Sequence, residues 1–365
     1  MIKKSIIFMS LALAFSTMCQ AQSRKVITLP SWDFSRDGKV WSQVAVPHDW
    51  AIAGPFDKKW DLQMVAIEQN GEKEKSEKSG RSGALPWIGE GMYKMNWTAP
   101  KGYKRAVLVF DGAMSQPVVT VNGKEAGKWA YGYNAFRIDI TPFIQFGKNN
   151  LIEVHLNNVE ESSRWYPGGG LYRPVSVELY GNENFSTWDT FVRTLKANRQ
   201  EAEVEVNALL DGKIGKSGKT VIALLDEKGT KVAEQTIQGA TPEIKTTLKV
   251  ANPQLWSPES PYLYQVKLTR YEGKKVADVQ TLKTGIRTIS VSKDNGFQLN
   301  GITRKIKGVC LHHDLGPLGA AENKAALIRQ IKTMKAMGCD AIRTAHNMPS
   351  TMQMEICDSL GMMVM

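Results

Sequence analysis

The last part of the chain, residues 305–365, constrains the fold most, because strand-like and helix-like patterns alternate along it. Such alternation is typical of a parallel sheet, most simply a (β/α)₈ barrel, which needs about 250 residues. Fewer than half that number follow Ser290, so we expect the chain to end early in the barrel. The predicted elements are strands at 305–311, 340–344 and 362–365, and helices at 322–337 and from Ser350 or Thr351 through Leu360.

The N-terminus has the pattern of a secretory signal peptide. Lys3 and Lys4 precede the mostly apolar residues 5–15, and the small residue Ala21 precedes Gln22. We therefore predict a signal peptide at 1–21 and a secreted protein. Cys19 lacks the small residues of a lipobox before it, which argues against a lipoprotein. No later stretch is long and apolar enough to predict a membrane span.

Charge and cysteine content exclude some function classes. Removing Lys3 and Lys4 lowers the formal net charge from +11 to +9, and no dense basic cluster carries it. Residues 72–78 alternate in sign and are typical of a solvated loop, so we do not expect nucleic-acid binding. The mature chain keeps three cysteines without disulfide or metal spacing, which we interpret as small core residues: Cys310, Cys339 and Cys357.

Two β-rich segments precede the predicted barrel. Short strands between Val26 and Asn182, with the hairpin signal Asn122-Gly123, indicate a jelly-roll sandwich. Candidate strands between Phe185 and Ser290 have the spacing of an immunoglobulin-like sandwich, which we interpret as a spacer or brace. The predicted domains are a signal peptide at 1–21, a jelly roll at 22–184, an immunoglobulin-like sandwich at 185–290 and an incomplete TIM barrel at 291–365.

Two polar clusters follow the first two predicted barrel strands. They are His312-His313-Asp314 after the first strand, and Arg343, His346 and Asn347 after the second. Active sites of such barrels lie at the carboxyl ends of the strands, so we expect both clusters on one rim. Imidazoles and a guanidinium there suit a polar substrate and a charged intermediate. The alternative is that Arg343 and one histidine bond carboxylates inside the barrel top.

A metal site is an alternative interpretation of these clusters. His312, His313, Asp314 and His346 are ligand types, but adjacent residues at a strand end tend to point in opposite directions. We therefore predict no catalytic metal and no cofactor, and nothing indicates a structural or activating cation. The sequence has no serine nucleophile elbow, P-loop or dinucleotide fingerprint.

Seven motifs in order resemble glycoside hydrolase family 2, which includes β-galactosidases, β-glucuronidases and β-mannosidases. The resemblance covers nearly all of the mature sequence, with Lys94 where the family commonly has arginine. The motifs are PHDW at 47–50, GEGMYK at 89–94, SRWYPGGGLYR at 163–173, LWSPESPYLY at 255–264, GIRTI at 285–289, KGVCLHHD at 307–314 and AIRTAHN at 341–347.

The resemblance implies a jelly roll, an immunoglobulin-like sandwich and a catalytic barrel that hydrolyses β-glycosides with retention. One glutamate acts as acid/base and another as nucleophile. The resemblance puts both on later strands, beyond Met365, so we name no catalytic residue. Glu322, Glu355 and Asp358 fall on predicted helices, which leaves Asp314 as the carboxylate at a predicted strand end.

The resemblance also implies roles for the rim residues. His312 and His346 would bind the sugar whose bond is cleaved, and Arg343 would support the carboxylate network. Asn347 replaces a tyrosine of some members, which leaves its role open. The segment Arg164-Trp165 either reaches toward the pocket or forms a structural corner.

The two barrel motifs look most like the β-galactosidase branch. We expect an enzyme that removes terminal β-galactosides from oligosaccharides in the periplasm of a Gram-negative bacterium. The alternatives are a β-glucuronidase or β-mannosidase of the same family, or a non-catalytic carbohydrate-binding β-sandwich protein. We expect the 365-residue chain alone to be inactive. The sequence leaves the sugar, the linkage and a homo-oligomer open.

Overall fold

The structure is a computed structural model. It describes residues 24–57, 59–60, 62–79, 86–87, 89–159 and 165–365. The predicted signal peptide, residues 1–21, therefore lies outside the described residues.

Residues 25–180 form an antiparallel sandwich. One sheet has the strand order β1-β12-β7-β10 and the other β3-β2-β6-β11-β8-β9, while β4 and β5 form a separate ribbon. The strands are β1 (Lys25–Thr28), β2 (Ser31–Ser35), β3 (Ser42–Ala45), β4 (Leu62–Val65), β5 (Ser76–Ser79), β6 (Glu90–Thr98), β7 (Arg105–Phe110), β8 (Val118–Val121), β9 (Lys124–Lys128), β10 (Phe136–Asp139), β11 (Asn149–Asn157) and β12 (Val175–Tyr180).

Alternating side chains explain this sandwich. Along β11 the buried and half-exposed positions alternate, as expected for a strand with one face on the core. Leu108 and Phe110 from one sheet and Trp32 and Ile152 from the other are buried in the same core. Asn122 and Gly123 both have positive φ and join β8 to β9, as the hairpin prediction required.

Residues 183–284 form a second antiparallel sandwich. In one sheet β15 pairs with β13, β14 and β18, and the other has the order β17-β16-β19-β20. Val204, Leu224 and Leu268 lie in its core. The strands are β13 (Glu183–Phe185), β14 (Phe191–Ala197), β15 (Glu201–Gly212), β16 (Gly218–Leu225), β17 (Lys231–Gln238), β18 (Glu243–Ala251), β19 (Tyr264–Glu272) and β20 (Lys275–Thr284).

The remaining residues form a small antiparallel sheet and then a parallel βαβαβ unit. The antiparallel strands are β21 (Ile289–Ser292), β22 (Gly296–Leu299) and β23 (Ile302–Thr303). The parallel strands β24 (Gly308–Leu311), β25 (Ala341–Thr344) and β26 (Met363–Val364) alternate with helices α1 (Lys324–Ala336) and α2 (Thr351–Leu360). Among the described residues, no helix has the length and apolar character needed to cross a membrane.

Capping residues determine where the two helices begin. The side chain of Asn323 accepts a hydrogen bond from the Ala326 amide at 3.0 Å, and Ser350 Oγ accepts from the Gln353 amide at 3.1 Å. The prediction that Glu322 lies on the first helix is wrong. Because Asn323 is the N-cap, Glu322 belongs to the loop after β24, on the side where the barrel strands end.

The second sandwich fixes the other ends of the helices. Trp256 Nε1 donates to the carbonyl of Asp358 at 2.8 Å. Lys335 Nζ donates to the carbonyls of Pro258 at 2.7 Å and Leu360 at 2.6 Å, and thereby satisfies carbonyl groups at the end of α2. The β-sandwich and the barrel unit are thus held together by directed hydrogen bonds.

Candidate sugar-binding site

The centre of the candidate site contains two imidazoles and one indole. His312 follows β24 and His346 follows β25, and these neighbouring parallel strands bring their ring centroids to 5.6 Å. Trp165, from the loop before β12, lies 5.6 Å from His312 and 5.2 Å from His346. The first two β-strands of the barrel and a loop of the first sandwich therefore meet at one cluster.

Arg343 and Asn347 flank this cluster. Arg343 Nη1 donates to His346 Nδ1 at 3.3 Å. Asn347 Oδ1 accepts from the Tyr131 hydroxyl at 2.6 Å. Cys310, expected in the core, is exposed with its Sγ 3.8 Å from Arg343 Nη1, because the two residues are register partners on one face of the sheet.

The other two predicted site residues are placed differently. Asp314 is half-buried near Tyr166. Burial, the charge of Asp49 and a smaller contribution from Asp314 raise the pKa of Tyr166. Arg164 lies outside the described residues, so its predicted role stays a prediction.

His313 follows His312 directly in the chain, and its side chain has a structural environment. Its Nε2–H donates to the carbonyl of Pro167 at 3.1 Å, and its ring packs edge-on against Tyr133 and Tyr172. Burial lowers the pKa of His313 to about 4, so its imidazole is neutral at physiological pH. Within the part of the chain that the structure describes, no three metal-ligating side chains converge.

Asp49 ties the first sandwich to the barrel just behind the cluster. Its Oδ1 accepts from the amides of Ala51 at 2.9 Å and Gly169 at 3.0 Å. Its Oδ2 accepts from the Tyr166 hydroxyl at 2.5 Å and from the amide of Ala320 in the β24–α1 loop at 2.8 Å. One buried carboxylate thus fixes the loop that carries Trp165 relative to the loop that carries His312.

A second connection fixes the loop that carries His346. Arg173 is buried and donates to the carbonyls of Tyr133 at 2.9 Å and Met348 at 3.0 Å. The carboxylate of Asp111 accepts from the amide and hydroxyl of Thr351, at 3.2 and 3.0 Å, at the start of α2. Both barrel loops at the site are therefore bonded to the first sandwich.

Glu322 lies beneath the site in an environment that favours a protonated carboxyl group. Ser350 donates to its Oε1, and its Oε2 is buried without a hydrogen-bond partner among the described residues. Burial raises the pKa of Glu322 to about 7, the charge of Asp111 adds to the rise, and Arg173 opposes it. This carboxyl group faces Ser350 and lines a small, partly enclosed pocket together with His312 and His313.

Replacing Glu322 with glutamine is expected to change how stability depends on pH. The folded-state pKa of Glu322, about 7, exceeds the ordinary value of 4.5, so the folded protein holds this proton more tightly than the unfolded chain. The stability that comes from the protonated Glu322 is therefore fully present below pH 4.5 and is lost as the pH rises through 7. Above pH 7 we expect Glu322→Gln to raise the free energy of unfolding by about 1 to 3 kcal/mol. Urea unfolding between pH 4 and pH 9 measures this.

Asp294→Asn, in the exposed turn between β21 and β22, is the control, because it removes a surface carboxylate and leaves Glu322 in place. Identical profiles for the native chain and both variants would contradict the assignment of a raised pKa to Glu322.

The arrangement suits a ring that carries hydroxyl groups. Imidazole, guanidinium and amide groups offer hydrogen bonds, while the indole of Trp165 offers an apolar face. Sequence reasoning missed Tyr131, Tyr133 and the partners of Asp49. Residues 129–136, WAYGYNAF, are rich in aromatic side chains for a loop after a hairpin, and this was the signal that could have found the two tyrosines.

Comparisons with known proteins agree with the fold and the motifs. The family model "Glycosyl hydrolases family 2" matches residues 186–287, and "Glycosyl hydrolases family 2, TIM barrel domain" matches residues 289–365. The chain is 35% identical over 335 residues to "Beta-galactosidase BoGH2A" of Bacteroides ovatus, covering 89% of this chain and 37% of that protein. It is 28% identical over 377 residues to "Beta-glucuronidase" of Bacteroides fragilis, and this match covers 96% of this chain and 50% of that protein.

A solved structure extends the likeness to three dimensions. The crystal structure of a glycosyl hydrolase family 2 member from Bacteroides cellulosilyticus aligns with a TM-score of 0.83 at 33% identity. The alignment covers 93% of this chain and 45% of that one. The predicted fold class, β-sandwiches followed by a partial TIM barrel, is confirmed, whereas the exact domain boundaries stay predictions. The chain belongs to glycosyl hydrolases family 2.

Proposed function

We propose that residues 24–365 supply the sugar-recognising part of an O-glycosyl hydrolase that removes terminal β-galactosyl groups from oligosaccharides with retention. The observation that carries this proposal is the cluster of His312, His346 and Trp165 at the carboxyl ends of two adjacent parallel strands. Barrel enzymes place their substrates at this end of the strands. The likeness to a protein named β-galactosidase supports the choice of sugar.

Each group in the cluster has a specific role in this proposal. Because Arg343 donates to Nδ1 of His346, the imidazole proton lies on Nε2, which can donate to a sugar hydroxyl. His312 offers a second imidazole on the neighbouring strand, and Trp165 packs against the C–H face of the ring. The Arg343 guanidinium keeps the His346 tautomer fixed.

The two carboxyl groups required for retaining hydrolysis are not assigned to described residues. Asp314 is half-buried near Tyr166, and Glu322 is bonded to Ser350 in a small pocket beneath the cluster. We propose that both groups come from later barrel strands, so that residues 1–365 expressed alone hydrolyse no glycoside. An apolar hollow of about 440 Å³ beside the parallel strands, lined in part by Phe297, Met354 and Met365, offers a surface on which further barrel elements can pack.

A β-glucuronidase is the second candidate, because similar proteins carry that name and Arg343 offers a positive charge at the mouth. Hydrolysis of nitrophenyl β-galactoside, β-glucuronide and β-mannoside by the complete product of the gene distinguishes these candidates. We expect release from the galactoside, with the β-anomer of galactose appearing first by NMR. Release from the glucuronide alone would overturn the choice of sugar, and release of the α-anomer would overturn retention.

The location of the protein is part of the proposal. The sequence pattern of residues 1–21 supports secretion, and we propose the periplasm of a Gram-negative bacterium as the compartment. Subcellular fractionation of the native host with an antibody against the sandwich domains tests this, and signal confined to the cytoplasm would contradict it.

A further inference from the structure

An aromatic loop of the first sandwich reaches the edge of the barrel rim. The loop between β9 and β10 carries Tyr131, whose hydroxyl donates to Asn347 Oδ1 at 2.6 Å. Tyr131 is nevertheless 47% exposed. A tyrosine whose hydroxyl is fixed and whose ring faces solvent presents an apolar surface in a defined orientation.

Tyr131 is the outermost member of a row of rings that begins at the proposed sugar site. His346 contacts Trp165, and Trp165 Nε1 donates to the Tyr133 hydroxyl at 3.0 Å. Tyr133 in turn packs against Tyr131 with ring centroids 5.4 Å apart and planes inclined by 57°. Tyr133 is buried, so the row presents a second accessible aromatic surface at Tyr131, outward from the histidines.

Asn347 offers polar contacts beside this surface. It follows His346 directly in the chain, and its Oδ1 is engaged by Tyr131. Its Nδ2 is buried and makes no hydrogen bond to any described residue. A hydroxyl group of a ligand beside Tyr131 would offer this unpaired amide donor an acceptor.

We propose that Tyr131 and Asn347 form the binding position for the sugar on the leaving-group side of the cleaved bond. The Tyr131 ring stacks on the C–H face of that sugar, and the Asn347 amide bonds a hydroxyl. This inference rests on the proposed function, because it takes the His312–His346–Trp165 cluster as the position of the cleaved sugar. It deepens that function by predicting a preference for oligosaccharides over simple alkyl galactosides.

The competing explanation is that Tyr131 only bonds the sandwich to the barrel. Two variants separate the explanations, since Tyr131→Phe keeps the ring and loses the hydroxyl, whereas Tyr131→Ala loses both. If the ring stacks on the sugar, Tyr131→Phe should keep most of the native kcat/KM for an oligosaccharide. If Tyr131 only ties the two domains together through its hydroxyl, both variants should lose the same activity on every substrate.

The test compares kcat/KM for lactose and for methyl β-galactoside with the complete product of the gene. Both substrates have alkyl leaving groups, but only lactose has a second ring. We expect Tyr131→Ala to lower kcat/KM for lactose by about three- to tenfold, from the usual strength of an aromatic contact. Methyl β-galactoside should change by less than about twofold, and Tyr131→Phe should retain most of the lactose activity.

Phe191→Ala is the matched control, because Phe191 is also an exposed aromatic residue but lies at the start of β14 in the second sandwich. Equal losses on both substrates, or no loss with Tyr131→Ala, would overturn the inference while leaving the proposed function intact. If the native protein hydrolyses neither galactoside, the proposed function fails and the inference fails with it.

Discussion

Replacing Arg270 with alanine is expected to destabilise the second sandwich by about 3 to 5 kcal/mol, because it leaves a buried carboxylate without its cation. Arg270 is fully buried, and its Nε donates to Glu183 Oε1 at 2.6 Å. Its Nη1 donates to Thr220 Oγ1 at 3.3 Å and to the carbonyl of Gly239 at 3.0 Å, and its Nη2 donates to the carbonyl of Gly215 at 3.4 Å. The substitution therefore removes several buried hydrogen bonds together with the charge.

The neighbouring strand leaves little room beside this guanidinium. A Cβ added to Gly218 would lie 2.1 Å from Arg270 Nη2, so glycine is required where the strand passes the arginine. The double variant Arg270→Met with Glu183→Leu removes both charges, and we expect it to recover at least half of the lost stability. Full recovery is not expected, because the carbonyl of Gly239 loses its donor.

Hydrogen exchange at the core amides of Val266 and Leu268 measures the stability of the second sandwich separately from the other domains of the chain. Lys231→Ala is the control in the same sandwich, because both side chains of the Lys231–Glu234 pair are exposed and such a pair contributes about 1 kcal/mol or less. A cost for Arg270→Ala no larger than that for Lys231→Ala would show that the buried pair does not stabilise the fold.

Replacing Asp49 is expected to loosen the sandwich from the barrel. Asp49→Ala leaves the amides of Gly169 and Ala320 and the hydroxyl of Tyr166 without their acceptor. Unsatisfied buried groups cost about 1 to 3 kcal/mol each, so we expect a loss of about 3 to 5 kcal/mol in stability at this junction. The positions of Trp165 and His312 depend on the same loops, so the proposed sugar binding should weaken as well.

Asp49→Asn provides a finer test of the same carboxylate. An amide oxygen can still accept from Ala51 and Gly169, but the amide nitrogen then faces the Ala320 N–H, which loses its acceptor. We expect a smaller loss, about 1 to 3 kcal/mol, seen as faster hydrogen exchange at Ala320. Asp294→Asn, in the exposed turn between β21 and β22, should change nothing, and unchanged exchange in Asp49→Asn would contradict the role of Asp49.

Sequence patterns predicted the elements well where one face of a strand or helix determines the structure. The strands around Val107 and Leu151 and the cap at Ser350 follow from local alternation and capping chemistry. The proximity of His312 and His346 followed from the rule that parallel strands end on one edge. The predicted start of α1 at residue 322 was wrong, because the Asn323 side chain caps the helix and leaves Glu322 in the preceding loop.

The contributions of the first sandwich to the site could not be predicted in the same way. Tyr131 meets Asn347 across 216 positions of the chain, and Asp49 meets Ala320 across 271. Neither contact has a local sequence period, because each depends on how the domains pack. The motif containing Asp49 was recognised as a resemblance, whereas its four donors came from the structure.

A crystal structure with a bound galactose-configured inhibitor tests the central claim most directly. The claim is that the sugar binds at the barrel rim, against a loop of the first sandwich. We predict that the ring lies against Trp165, within hydrogen-bond distance of His312 and His346. A sugar bound instead on an outer face of either sandwich, with the rim empty, would contradict this account and favour a carbohydrate-binding β-sandwich protein.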